Sequence, residues 1–462
     1  MNDLLEKIVA LCKRRGFIYP TSEIYGGLAN SYDYGPLGVE LMHNIKDLWW
    51  QEFIQKREDM VGIDSQILLH PQTWVASGHV TSFTDPMIED KVTHKRYRAD
   101  HLIENWISQQ KVKDFGDITV EKLKIEEMAA FIKQHKIASP DGNEITEPKK
   151  FNLLFETQLG VVEGNKSVVY LRGETAQGIF TNFHNVINSS RLKLPFGIGQ
   201  IGKSFRNEIT TGQFIFRTLE FEQAEIEYFF DPETDWKVIF EEWKLAMWAF
   251  VTTTLGIDEK KLRWRKHSDT ERSHYSRETF DLEYEYPFGW KELWGIAYRT
   301  DYDLKQHAQL SGKDLSFRDP QTGKTFIPHV IEPAVGLNRI LLMVLLNSYY
   351  EDEKRLVLKL KPALAPKTVA VFPLVANKPL LTQKARQIYT DLQLANIKVA
   401  WDDRGNIGKR YLAQDEAGTS YCITVDYESL DNSTVTIRNR DTTKQDRVAA
   451  DQLVAYIKEK LV

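Results

Sequence analysis

The chain has 462 residues and a formal net charge of −5, with 42% hydrophobic and 27% charged side chains. That length has room for about two to four domains, and the apolar content excludes wholesale disorder. The charge gives no global argument for nucleic acid, although local basic faces can act on an acidic protein, and the two cysteines, Cys12 and Cys422, form neither a zinc cage nor a disulfide framework.

The opening "MNDLLEKIVALCKRRGF" reads as an amphipathic helix with charges throughout, not as a signal peptide, and no apolar run approaches a membrane span. A soluble protein of a reducing compartment, the cytoplasm, with no membrane partner, is the expectation. Residues 17–75 hold a Gly/Tyr-rich loop, "YGGLANSYDYGPLG", and a helix-like "VELMHNIKDLWWQEFIQK". Residues 76 to about 165 contain charged helix-like segments and a turn at "SPDGNE". Lacking the long buried strands on either side, they look like an insertion.

From about 166 to 340 the chain is rich in strand-like runs: "SVVYLRG", "FGIGQIGKSFRNE", "FRTLEFEQAEIEYFF", "GWKELWGIAYRT" and "FIPHVIEP". One helix-like segment, about 235 to 254, lies among them, and "GLNRILLMVLLNSYY" closes the region as a helix. Strands separated by turns, without strict βαβ alternation, favour a mostly antiparallel sheet. "LKPALAPKT", 360–368, reads as a boundary, and "TVAVFPLV", "IKVAWDD" and "SYCITVD" beyond it as short buried strands between helices. The expected organisation is an α+β core over 1–359 carrying the insertion, a linker over 360–368, and an α/β domain over 369–462.

The segment "GKSFRNEITTGQFIFRTLEFEQAEIEYFF" is neither apolar throughout nor cleanly alternating, so packing alone does not account for it. In strands, Arg206 and Glu208 share a face, as do Leu219, Phe221, Gln223 and Glu225. As a hairpin over a cleft they offer a guanidinium for phosphate, a ring for a nucleobase and carboxylates for an amine. A solvated hairpin with cross-strand ion pairs fits this stretch equally well.

Three further stretches shift that balance. "VIEPAVGLNRI" puts Gly336 and Arg339 on the first turn of a helix, where a phosphate would offset the arginine's unfavourable place in the macrodipole. A surface arginine is the plainer reading. "YLRGETAQGIF" places Arg172 and Glu174 on one strand face, and "GWKELWGIAYRTDYDL" carries Glu292, a candidate magnesium ligand. Charged residues at strand ends are commonly just solvated. His43, His79, His94, His184, His274, His307 and His329 are scattered, with no HExxH, serine elbow, Walker or Rossmann pattern. Arginines and carboxylates without a nucleophile suit in-line displacement at phosphorus, where positioning and charge neutralisation do the catalysis.

These stretches resemble the three signature motifs of the class II aminoacyl-tRNA synthetases: "YDYGPLGVELMHNIKDLWW" the first, with Pro36; "FRNE" and "FRTLEFEQAE" the second; "EPAVGLNR" the third, ending in Arg339. "RGFIYPTSEIYGGLANSYDYGPLG", "ASGH", "YRAD", "LRGETAQGIF" and "HVIEPAVGLNR" are similar to the homodimeric glycyl-tRNA synthetases, a resemblance that covers nearly the whole chain, including "DDRGNIGKRY". It implies the class II antiparallel sheet flanked by helices, a C-terminal anticodon-binding domain, ATP as substrate with Mg2+, and glycine, tRNA(Gly) and a second copy of the chain as partners.

Residue by residue, it implies that Arg206 holds the ATP α-phosphate, Glu208 meets the adenine amino group, Phe221 stacks on adenine and Arg339 reaches the γ-phosphate. Asn207, Phe216, Arg217, Lys291 and Gly336 belong to the same nucleotide site, and Glu292 serves ATP or its magnesium. Glu174, Glu225 and Glu332 surround the glycine ammonium, with Arg98, Phe221, Gln223, Arg299 and Ala334 near the substrate. Many members carry serine where this chain has Ala334, so a hydroxyl contact there is absent or supplied by another group. Arg404, Lys409 and Arg410 are candidates for tRNA contact, with Arg438 and Arg440 behind them. The alternatives are a sister synthetase for another amino acid, such as prolyl, threonyl or histidyl, and a non-catalytic RNA-binding or polymerase-accessory relative.

Overall fold

Seven strands form the central sheet of the computed structural model, which describes residues 2–109, 120, 123–160, 167–208, 213–268 and 275–461. They are β1 (Met60–Gly62), β2 (Phe196–Phe205), β3 (Glu220–Phe230), β4 (Leu262–Lys266), β5 (Glu278–Tyr286), β6 (Gly289–Thr300) and β7 (His329–Gly336). Their order is β4-β5-β6-β7-β3-β2-β1, and every neighbouring pair is antiparallel except β1 with β2. The mostly antiparallel sheet read from the sequence is there. β4 and β5 were not singled out, because the acids of β5 that face the site make it read as polar; their partners, Arg263 and Arg265, are on β4.

The two faces of β3 explain its composition. Ala224, Ile226 and Tyr228 enter the main core. Phe221, Gln223, Glu225 and Glu227 alternate with them and so point to the other side. The core face is closed by α1 (Asn2–Arg15), α2 (Pro36–Trp50), α4 (Trp236–Ala249) and the largely buried α6 (Leu337–Ser348). Pro36 starts α2 at a position where its missing N–H costs nothing. At Gly38 a Cβ would lie 1.8 Å from the Phe17 carbonyl oxygen, so only glycine lets the chain cross the helix there. Two short helices matter for the site, α3 (Ala176–Thr181) and α5 (Tyr302–Ser311).

Within the expected insertion, a three-stranded sheet (Thr84–Glu89, Arg96–Arg98, Lys149–Asn152) and helices Ala99–Gln109 and Ile125–His135 enclose a small core around Ile88, Ile103, Met128 and Ile132. Parts of the insertion, the Thr210-Thr211-Gly212 break and His274 lie outside the described residues.

The C-terminal unit has strands β8 (Val369–Pro373), β9 (Val399–Trp401), β10 (Tyr421–Val425), β11 (Thr434–Asn439) and β12 (Gln445–Ala449). They run β9-β8-β10-β11-β12, parallel among the first three and antiparallel beyond. Helices α7 (Pro379–Leu394), α8 (Ile407–Ala417) and α9 (Leu453–Leu461) complete it. The segment before it is docked rather than solvated. Leu360, Leu364 and Ala365 are buried, and Asn44 Nδ2 donates to the carbonyls of Leu364 and Ala365 at 3.0 Å each. Among the described residues, no helix is long and apolar enough to cross a membrane.

Candidate active site

One cleft of about 320 Å³, over the central sheet, gathers most of the residues expected to act together. From the nucleotide set it is lined by Arg206, Glu208, Phe216, Arg217, Phe221, Glu292, Gly336 and Arg339; from the glycine set by Glu174, Phe221, Gln223, Glu225, Glu332 and Ala334. Four expected residues do not line it. Asn207 is held at the hairpin's edge, its backbone N–H donating to the Leu153 carbonyl at 2.8 Å, and Lys291 is exposed. Arg98 lines a separate cavity of about 920 Å³, paired with Asp85 at 3.0 Å and Asp100 at 2.6 Å. Arg299 is buried at the glycine end, bound to its neighbours there.

The nucleotide end is a set of rings and guanidinium groups. Arg206 lies 5.2 Å over the Phe221 ring and 5.4 Å over Phe83, while its Nε donates to the Gly173 carbonyl at 3.0 Å. Arg217 pairs with Glu208 at 3.0 Å. Arg339 rests 4.5 Å over Phe216, which is itself packed edge-on against Tyr286 and Phe288. The start of α6, which carries Arg339, is locked to the sheet through Asn338, whose Oδ1 accepts the Glu222 N–H at 2.9 Å and whose Nδ2 donates to Tyr34 at 2.6 Å. These contacts hold the guanidinium groups in place, which is how a site positions rather than reacts.

The other end is acidic and closed. Glu174 accepts from Gln177 at 2.9 Å and lies 3.3 Å from His79 Nε2. The Thr175 hydroxyl and Gln223 Nε2, the latter at 2.8 Å, donate to Glu225. Arg299 donates to Glu332, and its remaining donors take both oxygens of Asp303 at 2.7 Å. Removing one partner from such a buried pair costs about 3–5 kcal/mol, so Arg299 is tied to Asp303 and Glu332, behind the residues that line the cleft.

The four carboxylates therefore differ. Burial opposes ionisation of Glu174, yet His79, Arg299 and the Gln177 amide hold it well below the usual range. Burial, then the Glu332 and Glu174 charges, push Glu225 well above that range. Glu332 is raised by burial, opposed by Arg299, and comes to about 7. At the cleft mouth, desolvation is outweighed by the Arg339 guanidinium 2.9 Å away, which keeps Glu292 below its ordinary value. Such a pocket suits a small cation whose ammonium replaces the missing counter-charge.

Sequence reasoning missed His79, Thr175, Gln177 and Asp303 as supports. Thr175 and Gln177 follow Glu174 in the same motif, and Asp303 is four residues after Arg299. His79 looked like one of several scattered histidines. Its ring is set by Ser77, Oγ to Nδ1 2.8 Å, and Ser77 is buried, so the chain of contacts supports a carboxylate rather than arming a nucleophile.

In the C-terminal unit, only part of the expected tRNA surface faces outward. Arg404 and Lys409 are exposed. Arg410 is turned inward, donating to the backbone carbonyls of Pro373, Asp403, Arg404 and Gly405, and so is corrected from an RNA contact to a clasp of the "DDRGN" loop. Arg438 is spent on Asp415 at 2.8 and 2.9 Å, and Arg440 on the carbonyls of Gly418 and Leu360.

Residues 155–348 match the tRNA synthetase class II core domain (G, H, P, S and T) and residues 368–460 the anticodon binding domain, so the antiparallel sheet and its cleft are those of a class II aminoacyl-tRNA synthetase. Similar curated proteins extend over the whole chain: the glycine–tRNA ligase of Caldanaerobacter subterraneus subsp. tengcongensis is 51% identical, that of Acetivibrio thermocellus 50% and that of Clostridium tetani 50%, each covering 99% of this chain and 98% of the relative. The chain belongs to the glycine–tRNA ligase family.

Proposed function

We infer that the chain attaches glycine to tRNA(Gly) through a glycyl-adenylate, and that the cleft is where both bonds are made. A carboxylate oxygen of glycine attacks the α-phosphorus of ATP and pyrophosphate leaves. The terminal ribose hydroxyl of the tRNA then attacks the adenylate carbonyl, and AMP leaves. Arg206 neutralises the α-phosphate, Phe221 and Phe216 give the adenine and the Arg339 guanidinium their shelves, and Arg339 meets the γ-phosphate. Glu208 accepts from the adenine amino group, with Arg217 fixing its carboxylate. The observation that carries this reading is the junction of the two ends: the arginine–phenyl face runs directly into Glu174, Glu225 and Glu332 within one cleft.

Glycine offers only an ammonium, a carboxylate and smallness, so a site for it must grip charge and exclude bulk. Ala334 lines the cleft where a serine hydroxyl is usual in the family, and the donors near the ammonium's carboxylates are instead Thr175 and Gln223. Glu292, with a side chain 46% exposed at the mouth, fits a magnesium ion, which takes one or two protein carboxylates together with phosphate oxygens. When bound, that ion would supply charge neutralisation on the phosphates.

The exposed Ile24, Tyr25 and Leu28, in the loop that leads into α2, support pairing with a second copy of the chain. The C-terminal unit would bind the tRNA, with Arg404 and Lys409 toward its phosphates, and the reaction belongs in the cytoplasm, where its substrates meet. Incubation of the purified protein with ATP, glycine and tRNA(Gly) tests the reading: glycyl-tRNA should accumulate, and a protein that binds the tRNA without charging it would refute it.

A further inference from the structure

β3 and β7 pair antiparallel, with Gln223 opposite Gly336, Glu225 opposite Ala334 and Tyr228 opposite Ile331. The same register sets Glu227 across from Glu332, on the site's face of the sheet. Like charges directly opposite on neighbouring strands repel even at a surface. Here there is no solvent to screen them, because Glu227 is fully buried. Neither of its carboxyl oxygens has a hydrogen-bond partner. One oxygen each of Glu225, Glu227 and Glu332 lie within 4.8 Å of one another, so the three carboxyl groups share one small volume.

An ionised, buried carboxylate without a donor is costly. The charges packed around Glu227 do not relieve it. Glu225 precedes it on β3, Glu332 faces it from β7, and Asp303, in the first turn of α5, adds further negative charge. The nearby cation, Arg299 on β6, is already bound to Asp303 and Glu332. A proton on Glu227 answers both problems: it removes one of three crowded charges and turns an orphaned acceptor into a donor.

We infer that Glu227 is held as a neutral carboxylic acid whose O–H is a hydrogen-bond donor toward Glu332, opposite it on β7, leaving Glu332 as the carboxylate for the substrate ammonium. Glu227 does not line the cleft, so it is a positioning residue acting through Glu332, which does. Burial, reinforced by Glu332 and only partly opposed by Arg299, pushes its carboxyl well above the ordinary range, in the same sense. Carboxylic acids kept neutral by apolar burial so that they can donate are a known device. The inference rests on the glycine reading of this pocket.

The full-length protein tests it without any substrate. An infrared difference spectrum at neutral pH, wild type minus Glu227→Gln, should contain a protonated-carboxyl C=O band that shifts in heavy water. Glycine-dependent pyrophosphate exchange adds a second arm. Glu227→Leu, which loses the donor, should raise the glycine KM about tenfold with kcat and the ATP KM little changed, and Glu227→Gln, whose amide restores a donor, should recover most of that loss. Absence of the band would overturn the inference. So would a Glu227→Gln variant as impaired as Glu227→Leu, since that means an ionised Glu227 is needed, as it is for a cation ligand. Should Glu227→Leu fail to fold, the infrared arm and the Gln variant against wild type still decide. A wild-type protein that never activates glycine, yet shows the band, would refute the functional reading and leave the protonation state standing.

Discussion

Arg339 and Glu292 meet at 2.9 Å across the mouth of the cleft, with the guanidinium carbon 4.5 Å from the centre of the Phe216 ring. Arg339 stands in the first turn of α6, where the macrodipole disfavours a cation, and Glu292 offsets that cost while no nucleotide is bound. A γ-phosphate would take over the guanidinium and free the carboxylate. Arg339→Ala should therefore raise the ATP KM by more than about tenfold, the loss of one charge-assisted contact of roughly 1.5–3 kcal/mol. Initial-rate exchange kinetics with ATP varied would show it; an unchanged ATP KM would remove Arg339 from the nucleotide site.

Arg206 is expected to matter more to the chemical step than to binding. Its ring contacts and its bond to the Gly173 carbonyl hold it in place, so removing it leaves the α-phosphate without its prepared partner. Arg206→Ala should lower glycine-dependent exchange by well over about tenfold in a folded protein, because the contact strengthens as charge develops. Circular dichroism checks the folding, and near-normal exchange would count against the assignment.

The acidic end makes glycine binding depend on pH. Glu332 sits at about 7 and Glu225 is also raised, so in mildly acid solution the free protein keeps protons that an arriving ammonium must expel. The glycine KM should fall as pH rises toward and through about 7 and then level off, while the ATP KM changes less. The sign for stability is opposite. A carboxyl raised from 4.5 to about 7 binds more protons folded than unfolded, so its contribution in the unliganded protein declines as pH rises across that interval. Glu332→Gln should remove that slope and raise the glycine KM. A glycine KM flat from about pH 5.5 to 8.5, roughly one and a half units either side of the titration, would contradict the proton linkage.

The C-terminal arginines divide into two kinds, and variants should separate them. Arg404→Ala and Lys409→Ala, at exposed positions, should weaken aminoacylation and flatten its salt dependence while leaving exchange intact, as each phosphate contact contributes a share of counterion release. Arg410→Ala should instead lower thermal stability, since it strands four carbonyls that the guanidinium now satisfies. Equal aminoacylation by all three variants would put the tRNA surface elsewhere.

The strand character of β3 and its pairing with β2 were readable because acid and aromatic residues had to share a face over a site. So were the helix at Arg339 and the α/β character after Val369. What the sequence did not disclose depends on partners distant in the chain. Arg410 looks like any basic residue in "GNIGKRY" until four carbonyls are seen around it, and Arg299 looks like a substrate ligand until Asp303 and Glu332 claim it. Glu227 continues the alternation of Gln223 and Glu225, but its isolation appears only when β7 sets Glu332 opposite. The prolines at 360–368 mark a boundary and a linker; that Leu360 and Leu364 within it are buried depends on partners elsewhere in the chain.

The central claim is that an acidic, closed pocket joined to an ATP cleft selects the smallest amino acid. ATP–pyrophosphate exchange, screened with each amino acid in turn on the wild-type protein, measures this directly. Glycine should support exchange, and alanine and serine should fail without any editing step, because an added group in a packed site costs about 1–3 kcal/mol and here also displaces the ammonium from its carboxylates. Exchange with alanine or another amino acid equal to that with glycine would contradict the account.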